Sequence, residues 1–297
     1  MNLLALIGQF RRDARDTVLP YLWDTADVID WINEAESEAC IRARLLLDDA
    51  TAEICEIAVV EDDRILSTDA RVNEIVAARL IDAEGASEPV ELVTHEWMEK
   101  NYPLWRENEA GMPERLIHRN GQITFDRPAN AAYTLALTVY RAPLVEIGAR
   151  FSVTLQDSGD TVTHAAHGHT DGEAVMFAEV NTTTGITAWT IYYLRDVATD
   201  TYKLASSPGG AALALTTNGT GEVIYLNATS EIEAKQHRHL VNWALYRALD
   251  VPDSDTFDSG KASTAFNLFE QHFGPHPGAD LRKRMNARQP RARTGWV

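Results

Sequence analysis

The amino-acid sequence predicts an α+β fold: a helical bundle with a small antiparallel sheet, interrupted by an all-β insertion that is a barrel or a sandwich. Three observations predict it. Apolar residues recur at helical spacing near both ends of the chain. The pattern then switches to period two before about Tyr140. From about residue 150 to 228, short alternating runs rich in Thr, Gly, Asn and Ala are separated by turns. The expected organisation is a discontinuous body of residues 1–149 and 229–280, an inserted β domain of 150–228, and a basic segment of 281–297.

Leu3, Leu4, Ile7 and Phe10 predict a short amphipathic helix over 2–16. Asp24 or Thr25 is the expected N-cap of the next helix, with Asp27 in its first turn. Val28, Ile32, Ala35, Ala39, Ala43 and Leu46 then form one apolar face that carries this helix to about Leu47. A third helical stretch is expected from about Glu53 to Glu61. Between Arg64 and Tyr140, ARVNEIVAARLID reads as strand-rich, and EPVELVTHEWMEKNYPLW begins extended and then turns. Asn120-Gly121 is a hairpin signal. Tyr133, Leu135, Leu137 and Val139 alternate with Thr134, Ala136 and Thr138 as in a half-buried strand.

In the β block, strands are expected at Phe151-Val153-Leu155, Val175-Phe177, Trp189-Ile191-Tyr193 and Val223-Tyr225. Turn residues separate them, as at Asp157–Asp160, Gly168–Gly172 and Asn218–Gly221. Helix returns over Glu231–Leu249, ended by Pro252. It returns again over Gly260–Phe273, where Phe266, Phe269 and Phe273 share one side.

The formal net charge of −17 argues against a simple nucleic-acid-binding surface, which phosphate would require to be basic. The charge is divided unevenly. Arg282, Lys283, Arg284, Arg288, Arg291 and Arg293 give the last 16 residues +6 with no acid, which leaves −23 on the rest. An acidic body with a basic end suggests a docking tail, and Trp296 is a candidate anchor for a partner's pocket. Cys40 and Cys55 are too few for a disulfide framework and lack metal-type spacing, so both are expected as reduced, partly buried thiols. No apolar run approaches the ~20 residues that span a bilayer, so no membrane contact is expected. The opening MNLLALIGQFRRDARD is not read as a signal peptide, because its charges follow its short apolar stretch.

No P-loop, GxGxxG, GxSxG or HExxH signature occurs, and no catalytic residue, cofactor or metal is expected. His164, His167 and His169, with Asp171 nearby, could hold a transition metal, but a polar turn built on Gly168 and Gly172 accounts for them better. The acidic pairs and runs at Asp48-Asp49, Glu61–Asp63 and Asp253–Asp258 are expected as solvated charge. Trp189 and Tyr192 could stack on a sugar ring. Alternation instead assigns Trp189, Ile191 and Tyr193 to the core and Tyr192 to the other face.

Several segments together resemble the head-to-tail adaptor (connector) proteins of tailed bacteriophages. Leu22-Trp23-Asp24 followed by Trp31-Ile32-Asn33-Glu34-Ala35 resembles the opening of that family's second helix. Gly111-Met112-Pro113, Gly121–Phe125 and Pro128 resemble its central sheet segment, and Tyr140–Pro143 the end of that sheet. His239–Val241 with Trp243–Ala248, then Lys261, Ala262, Phe266 and Phe269–Phe273, are similar to its late helices. The likeness covers about residues 1–145 and 230–280. A second resemblance, carried by Val162–His164, His167-Gly168, Ile191–Leu194 and Tyr202–Ala205, is to a small accessory β module of phage tail and virion proteins.

The family resemblance implies a structural virion protein and no enzyme. It implies a homo-oligomeric ring, typically of twelve copies, at the head–tail interface. The ring would dock on the portal protein, meet a downstream tail or nozzle protein, and line a channel through which DNA passes without specific binding. The family's C-terminal segment commonly reaches into the portal, and Arg282 to Val297 is the matching stretch. The alternative reading is a carbohydrate-binding virion protein acting through the β insert.

Overall fold

The computed structural model describes residues 1–252 and 256–278. The basic segment, with Arg282, Lys283, Arg284, Arg288, Arg291, Arg293 and Trp296, lies outside the described residues. The chain divides into two compact units. One is Met1–Ser37 with Val145–Gly274; the other is Glu38–Leu144 with the described residues from Pro275 on.

In the first unit, helix α1 (Leu3–Asp13) starts where the Asn2 side chain accepts a hydrogen bond from the Ala5 amide at 3.0 Å. It buries Leu3, Leu6, Ile7 and Phe10, the stripe its sequence spacing predicts. Helix α2 (Thr25–Ala43) follows, with Val28, Ile29, Ile32 and Ala35 buried.

The second unit is a sheet protein. Its strands are β1 (Leu47–Asp48), β2 (Glu56–Val59), β3 (Ile65–Ser67), β4 (Val72–Ile81), β5 (Ser87–Leu92), β6 (Arg115–Arg119), β7 (Gln122–Phe125) and β8 (Tyr133–Arg141). Two short helices, α3 (Ala52–Cys55) and α4 (His95–Asn101), lie between them. The sheet order is β1-β8-β4-β5-β6-β7-β3, and β2 also pairs with β8. Strand β8 pairs with β1, β2 and β4, and its alternation places Leu135, Leu137 and Val139 in a core with Leu80, Leu116, Ile123 and Phe125. The β6–β7 turn holds Asn120 at φ 53° and Gly121 at φ 72°, the two left-handed positions that the Asn-Gly signal predicts.

The rest of the first unit is a closed six-stranded antiparallel barrel and two helices. The barrel strands are β9 (Phe151–Gln156), β10 (Thr161–Thr163), β11 (Ala174–Asn181), β12 (Ile191–Arg195), β13 (Thr201–Ala205) and β14 (Gly219–Tyr225). Their order around the barrel is β10-β13-β12-β11-β14-β9, and β9 closes on β10. Val153, Leu155, Val175, Phe177, Tyr202 and Val223 fill its interior. Helices α5 (His237–Leu249) and α6 (Ser259–Phe273) pack through Trp243 and Phe269, whose rings lie 4.9 Å apart.

These observations correct the expected fold class. The chain is mostly β, with an open eight-stranded sheet and a closed barrel; it is not a helical bundle with a small sheet and an insertion. Helical periodicity overestimated several segments. Only Ala52–Cys55 of the expected third helix is helical, because Glu56–Val59 pairs with Tyr133–Ala136 of β8. Helix α2 stops at Ala43 because Arg44 adopts φ 53°, and Leu47 joins a strand opposite Tyr140. Residues 231–236 form turns, so α5 begins at His237. The segment after β5 contributes α4, capped by the Thr94 hydroxyl on the Trp97 amide at 3.1 Å, where only a turn was expected.

Candidate functional site

The residues that carry the phage-protein likeness do identifiable work in the first unit. On α2, Ile32 and Ala35 are fully buried, while Asn33 turns its side-chain oxygen to the Gly148 amide at 2.9 Å. Glu36, one turn on, accepts from the Ile147 amide at 3.2 Å and from the Ser230 hydroxyl. Burial holds the Glu36 carboxyl above the usual carboxylate range, against the lowering effect of those two hydrogen bonds. A methyl group on Gly148 would come within 2.3 Å of Ile29, so the contact between this segment and α2 requires glycine. Glu34 faces outward and pairs with Arg247 of α5 at 3.2 Å. The motif thus clasps the chain's return at 147–148 and the segment before α5 onto one helix.

A second clasp sits at the loop between α1 and α2. Buried Arg11 ion-pairs with buried Asp16 and donates to the Trp23 carbonyl at 2.7 Å and the Thr25 hydroxyl at 3.1 Å. The Asp16 carboxylate accepts from the Leu22 amide at 2.8 Å. The Arg11 guanidinium lies 4.0 Å from the Tyr21 ring centroid, and the Trp23 indole donates to the Ala248 carbonyl at 3.2 Å. Both ends of the loop are therefore fixed. Between them Val18, Leu19 and Leu22 are 76%, 74% and 67% exposed. The clasp therefore holds an apolar loop open to solvent.

In the second unit, Asp48 overturns its expectation as solvated charge. It is buried and accepts from the Ala50 and Thr51 amides at 3.0 Å each, from the Thr51 hydroxyl at 2.7 Å, and from Arg141 Nε at 2.6 Å. These bonds outweigh desolvation, the largest single influence, and hold its carboxyl well below the usual range. Its neighbour Asp49 is exposed. Asp258 caps α6 by accepting from the Lys261 amide at 3.0 Å. Asp253 lies outside the described residues. Cys40 and Cys55 are buried, and neither is in a disulfide. Burial and the adjacent Asp48 push the Cys55 thiol up to about 11.

The barrel histidines come together as a stack of rings. His169 lies 3.6 Å from the Tyr225 ring centroid, His167 stacks on His169 at 5.7 Å, and His164 shares a 2.6 Å hydrogen bond with the Tyr225 hydroxyl. His169 also contacts Glu173 at 2.7 Å, while Asp171 accepts from the Val197 amide at 2.9 Å. Burial, reinforced by His167 and His169, lowers the His164 pKa, and burial pushes the Tyr225 phenol up to about 12. Among the described residues, no three His, Cys, Asp or Glu side chains are placed to hold a metal ion.

The phase of β12 is the reverse of the expected one. Tyr192 and Leu194 point into the barrel, and the Tyr192 hydroxyl accepts from the Thr187 amide at 2.9 Å. Trp189, at φ 59°, sits in the turn before the strand and is 36% exposed. The expected assignment of Trp189 to the core and Tyr192 to the other face is thus reversed: Tyr192 packs inside the barrel and Trp189 is partly exposed. Among the described residues, no helix is long and apolar enough to cross a membrane.

Buried clasps, a presented apolar loop and rings stacked for packing define a structural, assembly-type protein more than a reaction centre. The comparison with known families agrees. The family model described as SU10 adaptor protein matches residues 1–166, more than half of the chain, and the chain belongs to that family. It is a bacteriophage adaptor protein, a structural component of the virion in a family that interacts with other phage head and tail proteins. No curated protein matches it.

Proposed function

We propose that this adaptor assembles into a closed ring at the head–tail interface, docks beneath the portal protein, and lines the channel through which the genome passes. Twelve copies is the expected number. Membership of the adaptor family supports this reading most, and the division of charge adds to it. A body at −23 repels the DNA backbone and lets the genome slide without specific binding. The segment Arg282, Lys283, Arg284, Arg288, Arg291, Arg293 and Trp296 is the portal strap in this reading. Its +6 charge suits an acidic protein groove, and Trp296 suits an apolar pocket at the end of that groove. The barrel at 151–225 is the part that meets a downstream tail or nozzle protein in this reading.

Rings of this kind use heterologous contacts that close by rotation. The test is removal of residues 282–297. The truncated protein is expected to fold normally and to lose portal binding in a pull-down and by calorimetry. Equal binding by the full-length and truncated chains would overturn the strap.

A further inference from the structure

The chain from His164 to Glu173 joins β10 to β11 over one end of the barrel. Its ends are pinned by backbone bonds: the His164 amide donates to the Asp200 carbonyl at 2.9 Å, and the Gly172 amide to the Leu194 carbonyl at 2.8 Å. Between them the Ala166 amide donates to the Asp200 carboxylate at 2.7 Å. The rest of the hold comes from rings. His169 lies on Tyr225, His167 lies on His169 and edge-on to Tyr202 at 5.3 Å, and His164 packs on Phe151 at 5.2 Å. Beneath these rings Tyr202 and Tyr225 are buried.

This arrangement suits neutral histidines. His167 Nδ1 accepts from the His169 amide at 3.1 Å, so the proton of the neutral ring sits on Nε2. That nitrogen is shielded from solvent and has no hydrogen-bond partner among the described residues. A second proton can go only to Nδ1, where it displaces the His169 amide and sets two donors against each other. His164 resists a proton too, since burial, reinforced by His167 and His169, lowers its pKa. A charged His169 would pair with Glu173 Oε2 at 2.7 Å, but it would then face His167 across the stack. The other ionisable groups facing the loop do not offset these costs. Asp200 and Asp171 are engaged by the Ala166 and Val197 amides, and burial keeps Tyr202 and Tyr225 neutral.

We propose that residues 164–172 form a pH-sensitive latch over this end of the barrel, closed while its histidines are neutral and released in mild acid, with His167 as the trigger. The closed loop binds fewer protons than the open one. Its stability is therefore fully present above the usual histidine range, near about pH 6.5, and falls as pH drops through that range. Each proton that only the open loop binds shifts the equilibrium about tenfold between pH 7.5 and pH 5.5. Release bares Phe151, Tyr202 and Tyr225, so acid would turn this end of the barrel into an aromatic surface.

The test is hydrogen–deuterium exchange of the full-length protein at pH 7.5 and pH 5.5, corrected for the intrinsic pH dependence of exchange. Peptides that cover 164–172 are expected to lose about tenfold or more of their protection at the lower pH and to regain it on return, while peptides of α5 keep theirs. The variant His167→Asn puts an amide oxygen that does not titrate in the place of Nδ1, and its loop should stay protected at both pH values. Wild-type protection that is equal at the two pH values, or that is lost in α5 to the same degree, would overturn the latch whatever the variant does. A wild-type-sized loss in His167→Asn at pH 5.5 would overturn His167 as its trigger. If the variant loop is open at both pH values, the wild-type profile alone decides.

Discussion

Asp48 shows how much one residue's role depends on its neighbours in space. In the sequence it is half of an Asp-Asp pair, and nothing local distinguishes it from Asp49. In the fold, Arg141, 93 positions away, reaches it at 2.6 Å, and the next turn of chain aims two amides at it. Removing its charge breaks the buried ion pair with Arg141, so Asp48→Asn should cost about 3–5 kcal/mol in chemical denaturation. The pH dependence follows from the lowered pKa. The contribution of Asp48 is fully present above the usual carboxylate range and is lost as pH falls through its depressed folded value. Acid unfolding of the wild type should therefore be steeper below about pH 4 than that of Asp48→Asn. Parallel acid profiles would remove Asp48 as the cause. By contrast, the importance of Asn33 was partly legible, since the motif drew attention to α2 but could not identify the Gly148 amide that Asn33 holds.

At the scale of elements, strand β12 is the sharpest case. Alternation in WTIYYLR fits two opposite phases, because both faces carry apolar residues. The residues before the strand decide it: Trp189 adopts a left-handed turn conformation, so the strand starts at Ile191 with Tyr192 facing in. Tyr192→Ala should then cost roughly 3–5 kcal/mol by analogy with large aromatic truncations, and Tyr193→Ala about 1 kcal/mol or less. Thermal melts of the two variants check the assignment; the reverse order would contradict it. The β6–β7 hairpin was legible outright, because Asn-Gly demands two left-handed residues and few other structures accept them. The expected third helix failed because short apolar runs do not distinguish a buried strand from a helix. The pairing of Glu56–Val59 with β8, between residues 74 to 80 positions apart, decides that case.

At the scale of the whole molecule, the ends of the chain read correctly as helical and the centre as β. The balance between them did not. Helices announce themselves over a dozen consecutive residues, whereas the eight-stranded sheet is assembled from pieces as short as two or three residues whose partners lie far along the chain. The charge division, in contrast, is a property of the sequence itself, and it bears directly on assembly. An acidic body favours association only through selected surfaces, of which the basic segment is the one the sequence marks. The measurement that tests the ring most directly is negative-stain imaging of the full-length protein mixed with its portal. Closed rings coaxial with the portal are expected, and bare portals when residues 282–297 are removed. Portals decorated by single scattered copies, or no association at all, would contradict it.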